Sequence, residues 1–184
     1  YIVDMATRFA KRGYVCFSIN YRVRENPKDD KAGTMGDALE DAMIGLNWVR
    51  KNSKKLAIDK SKIVIGGGSA GGQLGNNFCY RDGSKNKKWD KSGIIAFVNL
   101  WGSPDESWGK YTIDKNDPPM IIVHGIEDAS VPFANSLQII KKLNSVGVKN
   151  ELIAIEGAGH TPASHMDDFE VRIATFLSDI ESKK

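Results

Sequence analysis

Cysteine is nearly absent from this chain of 184 residues, which carries only Cys16 and Cys79. Cys16 lies in an apolar, strand-like run and Cys79 in a helical pattern, so both read as inert, buried thiols, not as a disulfide or a metal pair. No metal motif occurs, and neither metal nor cofactor is expected. Long apolar runs are missing too: nothing approaches the roughly 18 consecutive apolar residues that a membrane-spanning helix needs. The 41% hydrophobic and 27% charged fractions are those of an ordinary soluble globular chain. No strong charge of one sign is present. The net charge is +3, and the lysines gather in surface-like runs at 51–62 and 85–91 instead of a basic stripe interleaved with aromatics, so nucleic-acid binding is not expected. Initiator Met, signal peptide and linker are all lacking at the start, where Tyr1-Ile2-Val3 opens inside a helical pattern. That reads as a fragment and leaves the compartment, cytoplasmic or secreted, undetermined.

What is present is an alternation. Apolar positions at helical spacing in Val3 to Ala10 end at Lys11-Arg12-Gly13, a basic pair followed by the residue that best terminates a helix. Tyr14 to Ile19 is a short, β-rich apolar run of the kind buried on both faces of a sheet. A polar loop from Asn26 to Gly33, an amphipathic helix over about Met35 to Lys54 and a strand at Lys62 to Gly66 come next. A helix is expected after Ser69. Further strands are predicted at Ile94 to Leu100, Met120 to His124 and Glu151 to Ile155, with helices over Phe133 to Val146 and Met166 to Glu181. Strands alternating with helices imply an α/β fold: a parallel, doubly wound sheet with helices on both faces, in one domain over residues 1–184. The irregular stretch from Gly102 to Pro119 is the one loop long enough to act as a lid.

The strand Ile63-Val64-Ile65 runs straight into Gly66-Gly67-Gly68-Ser69-Ala70-Gly71-Gly72, which contains G-x-S-x-G at 67–71. Glycines flank such a serine because it occupies a strained backbone conformation, and side chains two residues to either side are expected to collide with the neighbouring strand and helix. The turn lifts the Ser69 hydroxyl above the sheet. It also aims the Ala70 N–H, at the start of the next helix, where an oxyanion would form. Gly66-x-Gly68-x-x-Gly71 equally matches a dinucleotide-binding fingerprint, which wants an acidic residue about 20 positions on at the end of the next strand. Asp90 has the spacing but precedes its strand. A phosphate-binding loop is excluded, since no Gly-Lys-Ser/Thr follows.

A serine nucleophile needs a base, and the base needs an acid to hold its tautomer. Met120 to His124 and Gly125-Ile126-Glu127-Asp128 present Asp128 beyond a strand end, and Gly157-Ala158-Gly159-His160 places His160 on the loop after the last strand. Rivals are His124 for the base, and Glu127 and Asp105 for the acid. His165 reads as a capping-region residue at the entry of the last helix, and Asp37, Glu40 and Asp41 as a solvated or salt-bridged helix face. Trp101 and Trp108 bracket the candidate lid and are candidates to line a substrate pocket, against the reading that they are buried for stability.

The order Ser69, Asp128, His160 is that of the α/β-hydrolases. With Gly-Gly-Ser-Ala-Gly-Gly at 67–72 and Asn20-Tyr21-Arg22 after the first strand, the chain resembles the esterase/lipase branch that includes hormone-sensitive-lipase-like and bacterial acetyl-esterase-like enzymes. The resemblance implies a carboxylesterase acting on short-chain acyl esters, carbohydrate-linked ones among them, without cofactor, and a sheet that is truncated at its N-terminal side here. It also implies a His-Gly-Gly-Gly-type loop bearing further oxyanion donors, which these residues lack. One such donor is worth about 3 kcal/mol in the transition state, so a catalytically incompetent module stands beside the esterase reading. A prolyl-oligopeptidase-like peptidase is the other alternative, though its elbow more often carries Tyr where Ala70 stands. In the family's sheet a strand lies between the equivalents of Tyr14–Asn20 and Lys62–Gly66. Either those two are expected to dock directly, or a second copy is expected to complete the sheet.

Overall fold

The computed structural model of the chain describes residues 1–81, 90–104 and 112–182. Its elements are α1 (Ile2–Lys11), α2 (Lys31–Lys51), β1 (Ile63–Gly68), α3 (Ala70–Tyr80), β2 (Ile94–Leu100), β3 (Met120–Gly125), α4 (Phe133–Ser145), β4 (Asn150–Ile155) and α5 (Met166–Glu181). The four strands form one parallel sheet in the order β1-β2-β3-β4. Both faces are covered. Along β3, Ile121 and Val123 point into a core shared with α5 and Phe9 of α1, while Met120 and Ile122 point into a second core built with α2, α3 and α4. This is the two-residue side-chain period of a strand buried on both sides, and it explains why β3 reads as an unbroken apolar run.

The helices follow from their spacing. In α5, Phe169, Ile173, Phe176, Leu177 and Ile180 recur at three and four residues and are buried, giving one apolar stripe to lay on the sheet. Asp30 caps α2, its carboxylate accepting from the Gly33 N–H at 2.8 Å. Gly13, at φ +94°, ends the α1 segment in the left-handed region that favours glycine. Among the described residues no helix is long and apolar enough to cross a membrane.

One expected strand does not form. Residues 14–24 form no regular secondary structure and join no ladder, and Val15, Phe17 and Ile19 remain 52%, 43% and 42% exposed. Tyr14–Asn20 therefore does not dock on β1, which overturns the expectation of direct pairing. A strand of this composition is buried only when neighbours cover both faces, and among the described residues this segment meets helices without pairing to a strand: Tyr14 reaches Glu181 of α5 at 2.7 Å, and Phe17 and Arg22 reach α2. Cys16 is exposed for the same reason, contrary to the reading of a buried thiol, whereas Cys79 is buried. Most of its ion pairs and ring contacts run along α2. Arg22 pairs with Glu40 and Asp41, Arg24 with Asp30 and Asp37, and the Phe17 ring packs edge-on against Trp48 at 6.0 Å. A surface cavity of about 540 Å³ opens between this segment and α2, lined by Ile19, Tyr21, Arg22, Asp41 and Ile44 among others. Completion of the sheet by a second copy concerns contacts between chains, which a single chain does not carry.

Candidate active site

All strands of a parallel sheet end on the same edge, and the loops there converge. At that edge β1 turns directly into α3 through Ser69, whose backbone sits at φ +53°, ψ −116°. A non-glycine residue there is strained, and the surroundings must hold it. They do so with the Ser69 N–H, which donates to the Leu100 carbonyl of β2 at 2.9 Å, and with the Ser69 carbonyl, which accepts from Gln73. The glycine requirement is specific. A Cβ on Gly67 would stand 2.3 Å from the Gly71 carbonyl oxygen, and one on Gly72 would stand 2.9 Å from Gly102 Cα. Gly71 itself would meet nothing within 4 Å, so the expected collision on that side is not of a Gly71 side chain: it is the Gly71 backbone that comes up against Gly67.

The relay is continuous. His160 Nε2 lies 2.8 Å from Ser69 Oγ, and His160 Nδ1 lies 2.7 Å from Asp128 Oδ2. An ionised carboxylate only accepts, so Nδ1 carries the hydrogen and Nε2 is free to accept from the Ser69 hydroxyl. Asp128 is fully buried in its side chain. Burial pushes its carboxyl pKa upward, but donation by the Val131 N–H, His160 and the Ser130 N–H outweighs that and holds it below the ordinary 3.8. Asp128 is thus an anion across the neutral range, buried but saturated with donors. Close packing brings the loop of His160 to it: a Cβ on Gly125 would stand 2.3 Å from the Ala158 carbonyl oxygen and 2.4 Å from that of Gly159. The Glu127 N–H donates to the Ala158 carbonyl at 3.0 Å.

Ala70 opens α3 and is exposed. Its N–H belongs to the first turn, where no carbonyl of the helix can accept it and the helix dipole is positive. Trp101, also in the left-handed region at φ +47°, is fully buried and presents no surface to solvent. Its ring stands edge-on to His160 at 6.5 Å and contacts Tyr1 at 5.2 Å and Phe169 at 6.4 Å. Its indole N–H is buried without a hydrogen-bond partner among the described residues. Trp108 and Asp105 lie outside the described residues, as do positions 105–111 of the candidate lid. Glu127 is exposed next to the buried Asp128. Asp37, Glu40 and Asp41 are salt-bridged as expected. Asp90 accepts from Ser92 ahead of β2, at the sheet edge opposite Ser69, where it cannot meet a ligand held by the Gly66–Gly71 loop. Among the described residues no cluster of His, Cys, Asp and Glu is arranged to hold a metal.

Residues 1–96, just over half of the 184, match the BD-FAE family. The chain belongs to the BD-FAE family, among the esterase/lipase-type α/β-hydrolases. Its second half, residues 89–180, also matches the prolyl oligopeptidase family. Of individual relatives, esterase LipC of Mycobacterium tuberculosis is 23% identical over 84% of this chain and 46% of its own length. Isoprenylcysteine alpha-carbonyl methylesterase ICME of Arabidopsis thaliana is 24% identical over 85% of this chain and 45% of its own. The BD-FAE-family chain thus spans slightly under half the length of these relatives. Thermogutta terrifontis esterase 2, in its apo form, superposes with a TM-score of 0.77 at 26% identity, covering 96% of this chain and 76% of that one.

Two contacts of this BD-FAE-family site escape a reading of the sequence. Tyr1 reaches the elbow, its hydroxyl 2.3 Å from where a Gly68 Cβ would stand. His124, expected as a rival for the base, touches Asp128 instead, its Nε2 3.1 Å from Asp128 Oδ2. The four-residue spacing from His124 to Asp128 across a Gly-containing turn was the available signal.

Proposed function

We propose that this chain carries the acyl-transfer machinery of a serine carboxylesterase that cleaves short-chain acyl esters, with Ser69 as nucleophile, His160 as base and Asp128 as the orienting acid. The observation that supports this most is the unbroken relay of 2.8 and 2.7 Å from Ser69 Oγ through His160 to Asp128. In this mechanism His160 Nε2 takes the hydroxyl proton as Ser69 Oγ bonds to the ester carbonyl carbon. The Ala70 N–H donates to the oxyanion. The tetrahedral intermediate collapses, the C–O bond to the alcohol breaks, and the alkoxide leaves with the proton from His160. Water, deprotonated by the same Nε2, then releases the acid from the acyl-enzyme and Ser69 regains its proton. Asp128 stays ionised and stabilises the imidazolium formed at each stage.

Esterases among the relatives support an ester substrate. The match of residues 89–180 to the prolyl oligopeptidase family favours a second reading, a peptidase with the same relay. The two are separated by comparing p-nitrophenyl acetate with an N-acylated amino-acid p-nitroanilide. Faster turnover of the ester, abolished in Ser69→Ala, is the expected result. Faster cleavage of the anilide supports the peptidase. No rate above the Ser69→Ala background, with Ser69 also inert to a fluorophosphonate, overturns both and leaves a catalytically incompetent module.

A further inference from the structure

The Asp128 carboxylate takes four N–H donors, two on each oxygen. The Ser130 and Val131 N–H groups donate to Oδ1 at 2.8 and 2.9 Å, while His160 Nδ1 and His124 Nε2 share Oδ2 at 2.7 and 3.1 Å. The acyl-transfer steps above use only one of these. His124 lies on β3 just ahead of the turn to Asp128, and its ring is fully buried. Its Nε2 is also 3.0 Å from the Val131 carbonyl oxygen, and its Nδ1 is 2.7 Å from Ser136 Oγ on α4.

These partners determine where the hydrogen sits. A peptide carbonyl and an ionised carboxylate can only accept, so Nε2 carries the hydrogen and splits it between two acceptors. Nδ1 faces a buried hydroxyl able to donate to it. The Nε2–H tautomer therefore leaves no polar atom of the ring unpaired, and the Phe133 ring packs edge-on against it at 5.6 Å. An imidazole buried this deeply is costly unless its nitrogens are paired, and one of the pairs is the very oxygen on which His160 depends.

We infer that His124 is a positioning residue of the relay: its Nε2–H holds Asp128 with Oδ2 turned to His160 and draws off part of that oxygen's charge. This rests on the acyl-transfer reading of the site. Two consequences follow from sharing one oxygen. Without His124, Asp128 loses one of two anchors on the working side and turns more freely, which lowers kcat. The unshared Oδ2 also attracts the His160 imidazolium more strongly, so His160 keeps its proton to higher pH and the acid limb of activity moves up. The groups in hydrogen-bonding or ring contact with this pair are Asp128 and Val131 from the loop, Ser136 and Phe133 from α4, and Ser69 and Trp101 at His160; β4 contributes Ala154 opposite His124. Asp128 and the two histidines are the titratable groups among them.

The test compares wild type with His124→Phe, which keeps a flat ring without a donor, and His124→Gln, whose amide N–H can replace Nε2–H. Expected for His124→Phe are a roughly tenfold loss in kcat and an acid limb of kcat/KM raised by about half a pH unit, with His124→Gln restoring most of both. A His124→Phe profile that overlays the wild type overturns the inference, because a packing role alone does not move the limb. Two measurements do not depend on turnover. Nitrogen-15 shifts of the wild-type ring are expected to show the Nε2–H tautomer for His124, and an Nδ1–H tautomer overturns the inference even if His124→Phe fails to fold. The His160 imidazole titration followed by NMR is expected to move upward in His124→Phe, so a chain that hydrolyses no ester would sink the esterase reading and still test this one.

Discussion

β3 and the segment 14–24 are both runs of apolar, β-favouring residues next to a charged loop, yet they end in opposite environments. β3 has a strand on each side and a helical layer on each face, and Met120, Ile121, Ile122 and Val123 are fully buried. Residues 14–24 meet helices but join no ladder, and Val15, Phe17, Ile19 and Val23 stay exposed. The working parts of the site hang from the first kind of element. Asp128 and His124 are carried by β3 and its turn, His160 by the loop after β4, and Ser69 by β1. The teaching of the contrast is that the hydrogen-bonded Ser69–His160–Asp128 relay is built where the backbone is pinned by neighbours, while the same residue types without a paired strand contribute a clamped but exposed arm.

The sharpest break of that comparison is at the turn after β3. Asp128→Asn puts an N–H₂ or a weaker acceptor against His160 Nδ1 and is expected to lower kcat roughly 10⁴-fold, read with p-nitrophenyl acetate, while the fold persists by circular dichroism. Ile122→Ala, within β3 itself, is expected to cost about 2–5 kcal/mol in urea denaturation. Gly125→Ala should act on both properties, because its Cβ must displace the Ala158 and Gly159 carbonyls. About 1–3 kcal/mol of stability should be lost together with much of the activity, since the displaced loop carries His160.

Acid offers a finer comparison. The Asp128 carboxyl is held below its ordinary value, so it contributes stability above the unfolded value of about 3.8 and loses it as pH falls through the folded one. Asp37 and Asp41 are held low by hydrogen bonds from Arg24 and Arg22 and lose their hold on residues 14–24 in the same direction. Pepsin cleavage within 14–24 is expected to begin at a higher pH than acid unfolding of the sheet, because the arm has no buried ladder to lose. Simultaneous cleavage and unfolding would show that the arm is part of the core. The smallest effect is expected at Phe17→Ser, under about 1 kcal/mol, because this half-exposed ring touches mainly Trp48.

Much of the frame is legible in the residues. A strand leading into the glycines, expected at Lys62 to Gly66 and found at Ile63–Gly68, the helix after Ser69 and the α5 span of Met166 to Glu181 all follow from periodicity and punctuation, which are local. Asp128 and His160 are legible as strand-end residues in a recognisable order. Their meeting with Ser69 is not, since it spans 91 residues between His160 and Ser69 and depends on strand order and on how closely Gly125 lets the last loop approach. The failure at Tyr14–Ile19 has the same root: an apolar run states a demand for burial, and whether the demand is met is decided by other elements. His124 shows this from the opposite side: its residue type suggests a competing base, and the packing turns it toward Asp128.

The sequence by itself determined the alternation of strands and helices, the glycine elbow around Ser69 and the chain order of the three residues, because each depends on neighbours within a few positions. Only the tertiary structure decided which oxygen of Asp128 each histidine uses, that Trp101 lies buried beside His160, and that residues 14–24 stay outside the sheet. Those outcomes depend on distances between segments far apart in the chain, which periodicity and propensity do not encode.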